Sequence, residues 1–213
     1  MCLKIQHISL SFISIAKHSY ALTRNRHMVD YELLDRFESQ LTDEMLRLAT
    51  SRMLLDGTLL SSEDIDYRWH ELAPEYMADA IKEISEYPTV SVAWAGYIGM
   101  AIANGWDKDW SSTQKATYQS FYGNDGFDDM DEHILRDILG LQLESDTAQW
   151  IEKAIRICAQ TAVSRIRHEN IEPQSPMAFH VFARAVKTMY RIGAAIELKR
   201  LGYKFEKVNL PEC

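Results

Sequence analysis

Two acid–histidine pairs are the first residues in this chain whose spacing suggests chemistry. Asp66 with His70 and Asp129 with His133 stand four apart, which places each pair on one face of a helix. Asp137 extends the second row by a further turn. A carboxylate and an imidazole on one face can share a metal ion only if ligands converge from other helices. The plain alternative is a solvated or mutually paired contact, and it is the expected one. No Glu or Asp lies three residues before His70, His133, His168 or His180, so the Glu-x-x-His signature of a di-iron bundle is missing. There is no HExxH either.

Further candidates are weaker. Asp125, Asp128, Asp129, Asp131 and Glu132 form an acidic cluster, but the glycine and the closing glutamate of a calcium loop are out of register. Asp107-x-Asp109-x-Ser111 starts like such a loop and fails at Ser112 and Tyr118. Both read as helix caps and solvated faces. GxSxG, a phosphate-binding glycine loop, GxGxxG and a His-Asp dipeptide are all missing. No cofactor is expected.

Cations and aromatics give a different kind of candidate. His180, Arg184, Lys187 and Arg191 follow one another at spacings of four, three and four in the last long helix, opposite its apolar stripe. The row reads either as a solvent-facing side or as a patch for an anion, an acidic partner or the protein's own acids. Trp94, Tyr97, Trp106, Trp110, Tyr118, Phe121, Tyr122 and Phe127 crowd the middle of the chain. Core packing is the expected role for most of them, with a pocket wall as the alternative. Trp106 and Trp110 flank a turn and are expected to be partly exposed.

The elements that would position these residues are helices throughout. Asp30 caps a helix to about Leu55, with Leu34, Phe37, Leu41, Met45 and Leu48 on one stripe. Ser61 or Ser62 opens a second helix to about Tyr87, with Pro74 inside it as a kink or a break into two. Thr89 to Asn104 has no charged residue, and Ala95, Gly99 and Ala103 recur every four residues. That helix is expected to be central and buried, or else to offer a self-association face. Gly105 is expected to end it. A short helix follows from Trp110 to Tyr122, another from Asp128 to Leu139, and a long one from Ser145 or Asp146 to His168. Ser175-Pro176 opens the last helix and Gly202 closes it. The fold class predicted is all-α, a single-domain bundle of about six to eight helices over residues 28–213.

Residues 1–27 hold four Lys or Arg and no acid, and read as a peripheral arm or a start assigned upstream of Met28. The faint cleavage-like Ser14-Ile15-Ala16 is a poorer fit to a targeting signal. The net charge of −8 over 213 residues disfavours nucleic acid and anionic membrane surfaces as partners. No apolar run is long enough to span a bilayer. Three widely spaced cysteines, Cys2, Cys158 and Cys213, favour the reducing cytoplasm, with Cys158 in a core position.

The function expected from these residues is protein–protein contact without catalysis, with self-association into a homo-oligomer. The alternative is a small-ligand or metal-binding helical enzyme, with a site between helices near His133, His168 and His180.

Overall fold

The computed structural model describes residues 29–204. The expectations for residues 1–27, for Cys2 and for the tail beyond Lys204, Cys213 included, lie outside the described residues. Helix α1 (Tyr31–Ser51) starts where Asp30 accepts a hydrogen bond from the Leu33 amide. Helix α2 (Glu63–Glu83) starts in the same way at Ser62, whose hydroxyl accepts from Ile65. Three acids in its first turn favour the helix dipole. Pro74 lies inside α2 and the helix runs through it, so the two-helix alternative is not the one adopted.

Helix α3 (Val90–Lys108) is longer than its sequence suggests and passes through Gly105. After it come a single turn, α4 (Trp110–Thr113), capped by Asp109, and a 3-10 turn over Tyr118–Phe121. The predicted helix from Trp110 to Tyr122 is therefore two short pieces. Helix α5 (Met130–His133) widens into a π turn over Ile134–Ile138. Helices α6 (Asp146–His168) and α7 (Pro176–Arg200) have serine caps at Ser145 and Ser175, and Pro176 occupies the first turn of α7. The only pairing of strand type among the described residues is an isolated bridge between Gly123 and Gly126. The chain is an all-α multi-helix bundle, as its periodicity predicts.

The core is organised around α3. Thirteen of its residues are buried, from Ser91 to Asn104, and its most extensive partner is α7. Glycines make that contact possible. A Cβ on Gly99 would collide with the backbone carbonyl of Tyr190, and a Cβ on Gly193 with that of Gly96. The two helices thus touch main chain to main chain. The small-residue flank read as a possible self-association face is covered by α7 of the same chain. Around this seam pack Leu34, Phe37, Leu41 and Met45 from α1, and Ile151, Ile155 and Cys158 from α6. No helix among the described residues is long and apolar enough to cross a membrane.

Aromatic residues fill the α2 side of the core. Trp69 packs tilted on Tyr190 at 4.8 Å between ring centroids and on Tyr76 at 5.5 Å. Tyr76 receives the Ala95 amide proton and gives its own to the Ser91 carbonyl, so its hydroxyl is satisfied inside the core. Trp94, Tyr97, Tyr118 and Phe121 are buried, as the core reading predicts.

Candidate functional site

The basic row of α7 faces the protein's own acids. Arg184 pairs with Glu38, and with Asp35 at 3.3 Å. Lys187 reaches Glu38 at 3.2 Å. Arg191 faces Asp66 of α2 at 3.3 Å, out of line for a hydrogen bond. The row is therefore a strap that ties α7 to α1 and α2 rather than a solvent-facing side. Its charges are already engaged, which leaves little for an outside anion. His180 is half-buried and stacks edge-on to its exposed neighbour Phe179. Phe179 is 45% exposed and lies off the buried face of α7.

Neither acid–histidine pair forms as a pair. Asp66 is taken by Arg191, while His70 is exposed against the Tyr67 ring. Asp129 accepts the amides of Asn124 at 2.8 Å and Asp125 at 3.1 Å, which fixes the turn before α5. His133 bonds instead to Asp137, 2.9 Å away. That bond and the neighbouring Arg136 guanidinium hold the Asp137 carboxyl below the ordinary carboxylate range, the arginine contributing most. His168 lies against the Ser164 carbonyl at 2.6 Å. His133, His168 and His180 are thus engaged locally, and no bond among the described residues joins one to another. No group of three or more His, Cys, Asp or Glu side chains among the described residues is arranged to hold a metal.

Cys158 is buried in the core, and that burial pushes its thiol up to about 12. It is therefore protonated and unsuited to nucleophilic work. One buried charge has a full set of partners: Glu197, wholly inaccessible, takes Asn104 Nδ2 at 2.6 Å and Arg200 through two bonds of 2.6 Å each. This cluster pins the C-terminal turns of α3 and α7, a structural role that sequence reading missed.

Trp106 and Trp110 are partly exposed, as expected from their place at a turn. Trp106 donates its ring N–H to Asp64 and stacks on Tyr203. Trp110 lines an open groove of about 430 Å³ against the first turns of α2.

The surface that departs furthest from what folding alone requires is elsewhere. At the end of α1, Met53 has φ +59, in the left-handed region where glycine normally caps a helix. Its side chain is 72% exposed, and Trp150 in the first turns of α6 is 50% exposed. Together with Ser51, Arg52 and Lys153 they line a groove of about 490 Å³. Neither Arg52 nor Lys153 forms an ion pair with a described residue. Lys199 donates to the Met53 carbonyl at 3.3 Å and pairs with Asp56 at 3.1 Å, which helps to hold the turn. No sequence pattern marks Met53: its significance lies in its backbone, and that of Trp150 in its exposure.

The chain matches no protein-family model, no curated protein and no solved structure.

Proposed function

We propose that this chain is a protein-binding module without catalysis, and that it docks an acidic, apolar segment of another protein in the Met53–Trp150 groove. The observation that supports this is the strained, exposed Met53 beside the half-exposed Trp150. A left-handed methionine costs stability that a glycine would save, and its side chain recovers none of that in the core. Methionine adapts to varied apolar partners, and tryptophan and arginine recur where binding energy concentrates.

Charge complementarity selects the occupant. Arg52 and Lys153 give a cationic rim in a chain whose overall charge is −8. A second copy docked groove to groove would bring the same two cations and no acid among its lining residues to answer them. The partner is therefore a different chain that carries carboxylates around an apolar anchor. The buried free thiol of Cys158 is in keeping with a reducing, cytoplasmic setting.

Selection from a random peptide library tests the reading. Enriched peptides should combine acidic and large apolar residues. They should lose at least about tenfold in affinity on Trp150→Ala and on Arg52→Glu with Lys153→Glu. Enrichment of sequences with no acidic bias, or binding indifferent to both variants, rejects it.

A further inference from the structure

Asn104-Gly105 is the only Asn-Gly step in the sequence, and it sits in an unusual place. The pair is ordinarily a turn signal, yet α3 runs through it as helix to Lys108. Two separate contacts account for the two residues. Asn104 is 2% exposed and donates from Nδ2 to Glu197 Oε1 at 2.6 Å. Gly105 is held to glycine by α4, because the Thr113 side chain occupies the space a Cβ would need. Each residue is explained by its own neighbour, and their adjacency brings a chemical liability with it.

In an open chain, Asn-Gly is the step most prone to spontaneous deamidation. The Gly105 amide nitrogen attacks the side-chain carbonyl carbon of Asn104 and a C–N bond forms. The side-chain nitrogen leaves as ammonia and carries away the proton of the Gly105 N–H. Water then opens the cyclic imide at one of its two carbonyls. One opening gives aspartate; the other gives isoaspartate, whose main chain runs through the former side-chain carbon. Glycine speeds the attack because it has no Cβ to obstruct it and its backbone is free to turn.

Folding closes this route. A helical ψ of about −42° keeps the Asn104 side-chain carbon away from the Gly105 nitrogen. The Gly105 N–H is committed to a carbonyl four residues back. Nδ2 is held by a carboxylate that Arg200 fixes through two bonds of 2.6 Å each. Neither product fits back into the site. Aspartate would set a second carboxyl group against Glu197 Oε1, where a donor stood, with Arg200 alone to balance the two. Isoaspartate would insert an extra main-chain atom into α3 and break its ladder. The Gly105 carbonyl accepts from Asp109, the cap of α4, so that contact would lose its register too.

We infer that Asn104-Gly105 is a deamidation site that folding shuts, and that its reaction in the open chain makes unfolding one-way. A chain left unfolded converts Asn104 with time, and the converted chain no longer regains the packing of α3 on α7. The inference goes beyond the binding reading and uses nothing of the Met53–Trp150 groove.

Timed incubation of the full chain at mildly alkaline pH, native and in guanidinium chloride, tests this by peptide mapping. In denaturant, Asn104 should convert ahead of Asn124 and Asn170. In the native protein it should convert at least about tenfold more slowly, because the reaction must wait for α3 to open. The denaturant is then diluted out and refolded monomer is separated from the remainder by size exclusion. Refolded monomer should retain intact Asn104, with converted chains concentrated in the remainder. Conversion at the exposed Asn124 and Asn170 should be spread evenly between the two fractions, which separates this effect from general damage. Equal rates at Asn104 in native and denatured protein overturn the inference. So does refolded monomer that carries converted Asn104 in the same proportion as the remainder.

Discussion

Gly193 of α7 lies so close to Gly96 of α3 that a Cβ added to it would fall well inside contact with the Gly96 carbonyl oxygen. Main chain meets main chain at this crossing, so no side chain is available to move aside. Gly193→Ala and Gly99→Ala should each destabilise the protein by about 3 kcal/mol or more, near the upper end for overpacked cores. Gly96→Ala is the internal comparison. Its Cβ would meet only the ends of Met189 at 2.8 Å and Ile155 at 2.9 Å, and flexible side chains can give way. A loss of about 1 kcal/mol is expected there. Urea denaturation of the three variants should reproduce this order. A Gly96→Ala variant less stable than Gly193→Ala would contradict the described seam.

Glu197 is the buried charge to remove. Glu197→Ala strips Asn104 of an acceptor and Arg200 of its counter-ion in one step. Loss of a fully buried partner costs about 3–5 kcal/mol in dry sites. Arg200 retains some access to water at 29% exposure, so about 3 kcal/mol is the figure expected. Glu197→Gln keeps an acceptor for Asn104 and should cost less. Chemical denaturation distinguishes the pair, and equal losses would mean that charge is irrelevant at this position.

Met53→Gly should separate stability from binding. Glycine accepts the left-handed backbone without strain, so the variant gains about 0.5–1 kcal/mol. The same change removes an exposed anchor, so peptides selected on the native groove should bind more weakly. A variant that melts lower than the native protein would show that the methionine side chain stabilises its own turn.

Asp131 sets a pH dependence with a definite sign. Burial, with smaller contributions from Glu132 and Glu152, raises its carboxyl above the ordinary aspartate range, although backbone hydrogen bonds pull the other way. A folded-state pKa above the unfolded one favours the folded protein most below the unfolded pKa. That contribution is lost as pH rises through the folded value. At neutral pH the ionised carboxylate is therefore a net cost. Asp131→Asn should stabilise the protein at pH 7 by about 0.5 kcal/mol, and the gain should shrink as the pH falls below the carboxylate range. Thermal melts of both proteins from pH 3 to pH 8 show whether the difference closes in that direction.

Much of the frame could be read from local syntax. Ser145, Ser175 and Pro176 mark true helix starts, and Asp30 and Ser62 bond as caps should. These signals act within one turn of chain, so they survive folding. Gly105 misleads for a physical reason. A Cβ there would overlap the Thr113 side chain, so the glycine serves a close approach of α4 and the helix continues past it. The first helix stops at Ser51, short of the Leu55 that its stripe predicts, and Met53 takes the left-handed conformation with no glycine to mark it. The basic row of α7 was legible as a row, but Glu38 and Asp66 lie far off in sequence and only packing brings them opposite it. Both grooves depend on exposure and on distant neighbours, and helical periodicity encodes neither.

The uncharged stretch of α3 and its cover are made at different times. During synthesis, Gly96 and Gly99 of α3 emerge roughly ninety residues ahead of Tyr190 and Gly193 of α7, against which they seat. Until then the bare glycine and alanine flank of α3 has no lid, and any other apolar surface can occupy it. A ribosome stalled before Pro176 should therefore hold a sticky, chaperone-dependent intermediate, and release of the final helix should be the event that ends that dependence.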